Sequence, residues 1–165
     1  MDSMVLGLKR CGKTYLCKQL AQAWHEDEAL VFVYDPMRGS DWTTPHVFGN
    51  FQEFAKVAEM NRSAYLIIDE CFTLSDKEDK RVLTNLMAFG RHYGHTVIMI
   101  GQRYTAVPPT ARNLCERLFV FKQSPQDAML IYGDYPYDEV KQLPNFERGE
   151  YLDLTSFSCD RRRIF

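Results

Sequence analysis

One loop constrains the fold of this chain more than any other feature of its sequence. Residues 7–14 read Gly-Leu-Lys-Arg-Cys-Gly-Lys-Thr, which matches the pattern G-x-x-x-x-G-K-[ST]. The loop follows the apolar run Met4-Val5-Leu6 and precedes a helical apolar pattern from Lys13 to about Glu26. Such a loop turns backbone N–H groups toward phosphate oxygens, and the N-terminus of the helix adds positive potential. The sequence therefore predicts a phosphate-binding P-loop in an α/β fold.

Residues in and directly after this loop are the candidates for contact with a bound nucleotide. We expect Lys13 to bridge the outer phosphates and Thr14 to bind Mg²⁺. The alternative interpretation is a glycine loop that only caps the following helix. The predicted nucleotide-binding set is Gly7, Leu8, Lys9, Arg10, Cys11, Gly12, Lys13, Thr14 and Tyr15.

Short apolar runs alternate with helical patterns along the chain, which predicts a mostly parallel five-stranded core sheet flanked by helices. The predicted strands are 4–6, 30–34, 64–68, 96–100 and 117–121. Predicted helices follow Lys13, the cap Asn50 (to Val57 or Met60) and the charged segment opened by Ser75-Asp76, and a short one spans 127–132. We expect loops at 37–49 and around Pro108-Pro109, and a terminal hairpin of Glu150–Leu154 with Arg162–Phe165. The 165 residues predict one domain, with a core at about 4–132 and an extension at about 133–165.

Composition excludes several classes of protein. Twenty Lys and Arg against 22 Asp and Glu give a formal charge of −2, so the chain does not hold nucleic acid by bulk positive charge. Five cysteines without a CxxC pair favour a reducing, cytosolic setting over a disulfide framework or a common zinc site. No apolar run approaches the roughly 20 residues of a membrane span. The N-terminus has no pattern of a secretory signal, so we expect none.

Two acidic residues directly follow the predicted strand 64–68. Asp69 is placed like the carboxylate that holds Mg²⁺ in P-loop enzymes. Glu70 is the candidate for orienting or deprotonating an attacking water, which favours hydrolysis over transfer. The alternative is that both are solvated residues at the end of a strand.

Gln102 follows the predicted strand 96–100, where a neutral amide could sense a γ-phosphate or position water. Polar residues after strands are more often ordinary loop residues, and that alternative stays open on the sequence alone.

The motifs together resemble a known family of motor proteins. The segment from Arg91 through Gly94 to Gln102-Arg103 and the later Pro109-Thr110-Ala111-Arg112-Asn113 are similar to HerA/FtsK-superfamily ATPases. The likeness is greatest to the small genome-packaging ATPases of membrane-containing icosahedral viruses and covers about residues 4–132. It implies a RecA-like sheet of order 5-1-4-3-2, in which the strand before Gln102 lies between the P-loop strand and the Asp69 strand. Gln102 would then lie beside the γ-phosphate.

The same resemblance implies a homo-oligomeric ring, a hexamer or pentamer, in which a neighbour's arginine completes each site. Arg91 is the preferred candidate and Arg112 the second, because a guanidinium at the γ-phosphate stabilises transition-state charge. Each could instead form a salt bridge at the surface or at an interface.

The implied function is a Mg²⁺-dependent ATPase that translocates double-stranded DNA, with a capsid vertex or viral membrane protein as docking partner. The implied location is the host cytoplasm or the packaging vertex of the virion. Positive charge for the DNA could come from Lys9, Arg10, Arg103 and Arg161-Arg162-Arg163, although an arginine run is more often a solvated tail. Three alternatives stay open: a filamentous-phage-type assembly ATPase, a nucleotide or small-molecule kinase, and a nucleotide-gated interaction module.

Overall fold

A computed structural model describes residues 1–37, 41–44, 46–71, 74 and 76–165. The predicted Ser75 start of the third helical segment and parts of the predicted 37–49 loop lie outside the described residues. An eight-stranded sheet forms the centre of the molecule, in the order β3-β2-β4-β5-β1-β6-β7-β8. The strands are β1 (Ser3–Leu6), β2 (Leu30–Tyr34), β3 (Val47–Phe48), β4 (Ala64–Ile68), β5 (Thr96–Gly101), β6 (Arg117–Phe121), β7 (Glu150–Leu154) and β8 (Cys159–Arg163).

The order of the core strands confirms the one that the resemblance implied. β5 pairs in parallel with β1 on one side, Leu6 opposite Gly101, and with β4 on the other, Ile68 opposite Met99. The carboxyl ends of β1, β5 and β4 therefore meet at one edge of the sheet. In open parallel sheets this edge is where ligands bind.

Helices cover both faces of the sheet: α1 (Lys13–Glu26), α2 (Phe51–Met60), α3 (Lys77–Phe89), α4 (Pro109–Leu114) and α5 (Pro125–Asp134). Side chains of Asn50, Asp76 and Ser124 accept the N–H of the residue three positions on, which satisfies free donors in the first turns of α2, α3 and α5. Within the described residues, no helix is both long and apolar enough to cross a membrane.

Two apolar clusters, one on each face, hold these layers together. The larger packs α2, α3 and the C-terminal segments around side chains such as Phe54, Leu66 and Met87. The smaller packs α1 against the other face through Leu16, Cys17 and neighbours. Strands buried on both faces explain why β2, β4 and β6 read as continuous apolar runs in the sequence.

The structure corrects several predicted elements. Val47–Phe48, predicted as loop, pairs in parallel with β2 as a two-residue edge strand. Helix α4 begins at Pro109, where a loop was predicted, because proline suits the first turn of a helix. Residues 138–145, in the predicted extension, form 3₁₀ turns. The last strand was predicted at 162–165 and lies at Cys159–Arg163.

The terminal hairpin extends the sheet instead of standing apart from it. β7 pairs antiparallel with β6, and β8 with β7. Asp153 on β7 is buried and accepts both Nε and an Nη of Arg117 on β6, at 2.6 and 2.5 Å. This paired, charge-assisted contact fixes β7 beside the core strands and raises the pKa of Arg117.

Candidate functional site

The P-loop lies at the carboxyl edge of the sheet, between β1 and α1, as predicted. The backbone N–H of Gly7 donates to Gly101 O at 3.3 Å and that of Leu8 to Lys122 O at 3.0 Å, which ties the loop to β5 and to the end of β6. Gly12, before α1, has φ of 121°, and a Cβ there would come within 2.8 Å of Ile164 Cδ1. The positive φ favours glycine at this position, whereas the contact concerns only the end of a flexible side chain.

The Lys13 side chain lies across this loop. Its ammonium donates to Gly7 O and Leu8 O, both at 2.9 Å, and is 4.0 Å from Cys11 Sγ. Burial raises the pKa of the Cys11 thiol despite this cation, so Cys11 is a packing residue in the loop and not a thiolate. The ammonium thus contacts two carbonyl groups of the loop itself, and its contact with phosphate stays a prediction.

Asp69 directly follows β4 and is 6% exposed. Burial is the main cause that raises its pKa to about 6. The charges of Glu70 and Asp35 act in the same direction, whereas the Glu70 N–H, which donates to Asp69 Oδ1 at 2.8 Å, and the Lys13 ammonium oppose it. A nearby cation would offset the cost of ionising this buried carboxyl group, and the metal role of Asp69 stays a prediction.

Asp35 belongs to the same edge and was not singled out from the sequence. It follows β2, is 3% exposed, and accepts Met37 N–H at 3.0 Å and Trp42 Nε1–H at 3.2 Å. Because its charge raises the pKa of Asp69, it adds negative potential where the metal is expected. The sequence signal was available, since an acidic residue follows a buried strand just as Asp69 does.

Glu70 adopts φ of 53°, a left-handed conformation that non-glycine residues rarely take. Such backbone strain persists only where the surroundings enforce it, and it is frequent at functional sites. Glu70 lies in the turn that directly follows β4, at the edge of the sheet where β4, β5 and β1 end.

Gln102 follows β5, level with Gly7, and β5 lies between β1 and β4 as the resemblance implied. The next two residues anchor it to α5. The Arg103 guanidinium donates to buried Asp127 at 3.3 and 3.4 Å, and Tyr104 Oη donates to Asp134 at 2.6 Å. Gln102 thus stands on a loop that is attached to α5 by side chains of both following residues.

Arg91 lies at the opposite edge of the sheet from the P-loop. It precedes β5 in a 3₁₀ turn and forms an ion pair at 3.7 Å with Glu116, which precedes β6. Both side chains are about half exposed, 54% and 49%. Because β5 separates Arg91 from the site by about 16 Å of strand, Arg91 does not reach the P-loop of its own chain.

Arg112 was predicted in a loop and lies on α4. Its side chain is less accessible to a neighbouring molecule than that of Arg91. Its guanidinium stacks over the Tyr104 ring at 4.6 Å, and its Nε is buried with no hydrogen-bond partner among the described residues. This stacking joins Arg112 to the loop that carries Gln102.

Most of the basic residues considered for DNA are paired with acids. The arginines of the predicted tail lie on β8: Arg161 pairs with Glu150, Arg162 with Asp153 and Asp160, and Arg163 with Glu147. Arg103 pairs with Asp127. Lys9 and Arg10 stay exposed on the P-loop. The arginine run therefore charges an edge strand, which is a common protection of sheet edges against pairing with other chains.

The residues present fit ATP with Mg²⁺. Thr14 and Asp69 offer hydroxyl and carboxylate oxygens, which Mg²⁺ prefers, and Lys13 is close enough to Asp69 to influence its pKa. The P-loop with Lys13, the Asp69-Glu70 pair and Gln102 all follow strands that end at one edge of the sheet, which is the arrangement of a P-loop ATPase fold.

Comparison with known proteins gives the family. Residues 8–143 match the family described as Zonular occludens toxin (Zot), and the chain belongs to that family. No curated protein matches the chain.

Solved structures confirm the fold and the predicted resemblance. The DNA-packaging ATPase B204 from Sulfolobus turreted icosahedral virus matches with a TM-score of 0.79 at 15% identity, over 99% of this chain and 98% of that one. B204 from Sulfolobus turreted icosahedral virus 2, in complex with AMPPCP, matches with a TM-score of 0.78 at 15% identity, over 99% and 97%. VirB4 of Thermoanaerobacter pseudethanolicus matches with a TM-score of 0.75 at 11% identity, over 99% and 89%.

Proposed function

We propose that this protein is a Mg²⁺-dependent ATPase that translocates double-stranded DNA, and that it packages a viral genome into a capsid. The observation that carries the proposal is the meeting of the P-loop, the Asp69-Glu70 pair and Gln102 at one sheet edge, with β5 between β1 and β4. B204, which matches over nearly its whole length, is a DNA-packaging ATPase and supports the finer assignment.

Each site residue has a role in this proposal. Backbone N–H groups of the P-loop hold the phosphates and Lys13 neutralises their outer charge. Thr14 and Asp69 hold Mg²⁺, which when bound offsets negative charge that develops on the phosphates. Glu70 accepts a proton from the attacking water, and Gln102 orients that water or the γ-phosphate.

A neighbouring subunit supplies the last cation in this proposal. Arg91 is exposed and at the opposite edge from its own P-loop, so it can serve a site in another copy and not its own. Arg112 is partly buried and stacked on Tyr104, which makes it the second candidate. The geometry supports a ring in which hydrolysis depends on assembly.

A parallel measurement of activity and mass tests the proposal. Phosphate release from Mg–ATP is measured with and without double-stranded DNA, while light scattering gives the oligomeric mass of the same sample. We expect turnover that rises with DNA and with ring formation, and none in Lys13→Ala. A monomer with DNA-independent phosphoryl transfer to a small molecule would indicate a kinase, and nucleotide binding without turnover an interaction module.

A further inference from the structure

The C-terminal segment, residues 144–165, contacts the P-loop. It lies beyond residue 143, where the match to the family ends. The Gly149 N–H donates to Cys11 O at 2.9 Å, and the Ile164 N–H donates to Gly149 O at 3.1 Å. Two successive backbone hydrogen bonds therefore connect the P-loop to the end of β8. The segment is held beside the loop by backbone contacts, independently of flexible side chains.

This attachment places two aromatic rings and a guanidinium at the mouth of the P-loop. Tyr15 and Phe165 meet edge to face, with ring centroids 5.8 Å apart at 76°. The Arg148 guanidinium lies over the Phe165 ring at 5.3 Å. Both rings keep about half of their surface exposed, 49% for Tyr15 and 55% for Phe165. We call Tyr15, Arg148 and Phe165 the aromatic cluster.

Glycine at position 149 is required for this arrangement. Its φ is 86°, and a Cβ there would come within 2.7 Å of the Phe165 ring. The ring can lie against the backbone next to Arg148 only because no side chain intervenes.

A cavity connects two members of the cluster, Tyr15 and Arg148, with the phosphate-binding residues. It has a volume of about 220 Å³ and is lined by Arg10, Gly12, Lys13, Thr14, Tyr15 and Arg148. Arg10 and Arg148 also line a neighbouring cavity of about 420 Å³ between the P-loop and residues 145–148. Space of this size beside a phosphate site suits the rest of a nucleotide, whose phosphates are held by the loop itself.

We propose that the aromatic cluster is the subsite for the nucleoside part of ATP, with the base on the exposed Phe165 and Tyr15 rings and the Arg148 guanidinium. The inference rests on the proposed ATPase function. Aromatic faces and guanidinium planes attract bases by stacking, a contact that needs no particular hydrogen-bonding edge. The C-terminal segment thereby becomes part of the nucleotide site and not merely an extension of the sheet.

Binding of ATP compared with inorganic tripolyphosphate, each with Mg²⁺, separates a base contact from a phosphate contact. By calorimetry we expect Phe165→Ala and Arg148→Ala to weaken ATP binding about tenfold each, since stacking on one aromatic side chain commonly has this effect. Tripolyphosphate binding should change less than about twofold. Matched controls are Phe157→Ala, a ring that is 96% exposed in the β7–β8 turn, and Arg81→Ala on α3, and both should leave ATP binding unchanged.

A second readout does not depend on loss of affinity. In Phe165→Trp, ATP should change the fluorescence of the introduced indole, beyond any change in wild type from Trp24 and Trp42, and tripolyphosphate should not. Equal weakening of both ligands by Phe165→Ala and Arg148→Ala would assign the cluster to phosphates and overturn the proposal. Unchanged ATP binding in both alanine variants, together with an indole fluorescence in Phe165→Trp that ATP does not change, would also overturn the proposal. If wild type binds neither ligand, the P-loop assignment itself fails, which is a different result.

Discussion

The ion pair between Arg103 and Asp127 attaches the loop after Gln102 to α5. Asp127 is buried, with a side chain 2% exposed, and accepts two N–H groups from Arg103, whose side chain is 58% exposed. In Arg103→Ala the carboxylate keeps the Ser124 hydroxyl at 2.7 Å as a partner but loses its cation. We therefore expect a cost of about 1–2 kcal/mol, between the values for exposed and fully buried pairs.

Urea unfolding of Arg103→Ala, with Arg81→Ala as control, measures this cost. Arg81 pairs with Glu78 at 3.8 Å with both side chains largely exposed, so its loss should cost less than about 0.5 kcal/mol. For a domain of this size the Arg103 change corresponds to a fall in Tm of about 5 °C. We also expect kcat to fall, because Gln102 precedes the lost anchor. Equal stability of both variants, with unchanged kcat, would refute the reasoning that the pair anchors Gln102.

Other variants test single roles. Lys13→Ala should lose measurable ATP turnover and keep its circular dichroism spectrum, since the lysine contacts loop carbonyls and not the core; wild-type turnover would refute this. Glu70→Gln should bind Mg–ATP yet hydrolyse it slowly, and loss of binding would instead make Glu70 part of the binding framework. Arg91→Ala should bind ATP and lose about a thousandfold in turnover, with partial recovery when mixed with Lys13→Ala subunits; no recovery in proven mixed oligomers would shift the test to Arg112. His95 is buried, donating to Ala58 O and accepting Ala64 N–H, and burial lowers its pKa. The unfolded chain thus binds more protons below about pH 6.5, so acid should destabilise wild type more steeply than His95→Gln, and parallel pH profiles would contradict this.

The core of the fold was predictable because its signals are local. The apolar runs of β1, β2, β4, β5 and β6, and the caps Asn50 and Ser124, mark their own elements. Val47–Phe48 gave no such signal, since two residues show no periodicity and pair only because β2 lies alongside. Helix α4 was missed for a similar reason, as six residues are too few for a helical apolar pattern.

The residues of the candidate site also fall into two groups, those that a local pattern predicts and those that only the folded chain brings together. Lys13, Thr14, Asp69 and Glu70 follow from a motif and from the end of a strand. Contacts between distant parts of the chain could not be predicted: the pairing of Arg161–Arg163 with acids depends on the register of β8 against β7. The approach of Arg148 and Phe165 to the P-loop depends on the path of the whole extension. Such contacts require the folded chain, because no local pattern encodes which surfaces meet.

ATP-driven displacement of a third strand from double-stranded DNA tests whether this protein translocates along the duplex. A triplex-forming oligonucleotide is annealed to one end of a duplex, and its release is followed with Mg–ATP for wild type and for Glu70→Gln. We expect release by wild type that requires ATP hydrolysis, and none by Glu70→Gln under conditions where it binds both ATP and DNA. ATP hydrolysis by an assembled ring that never releases the third strand would contradict the assignment as a DNA translocase.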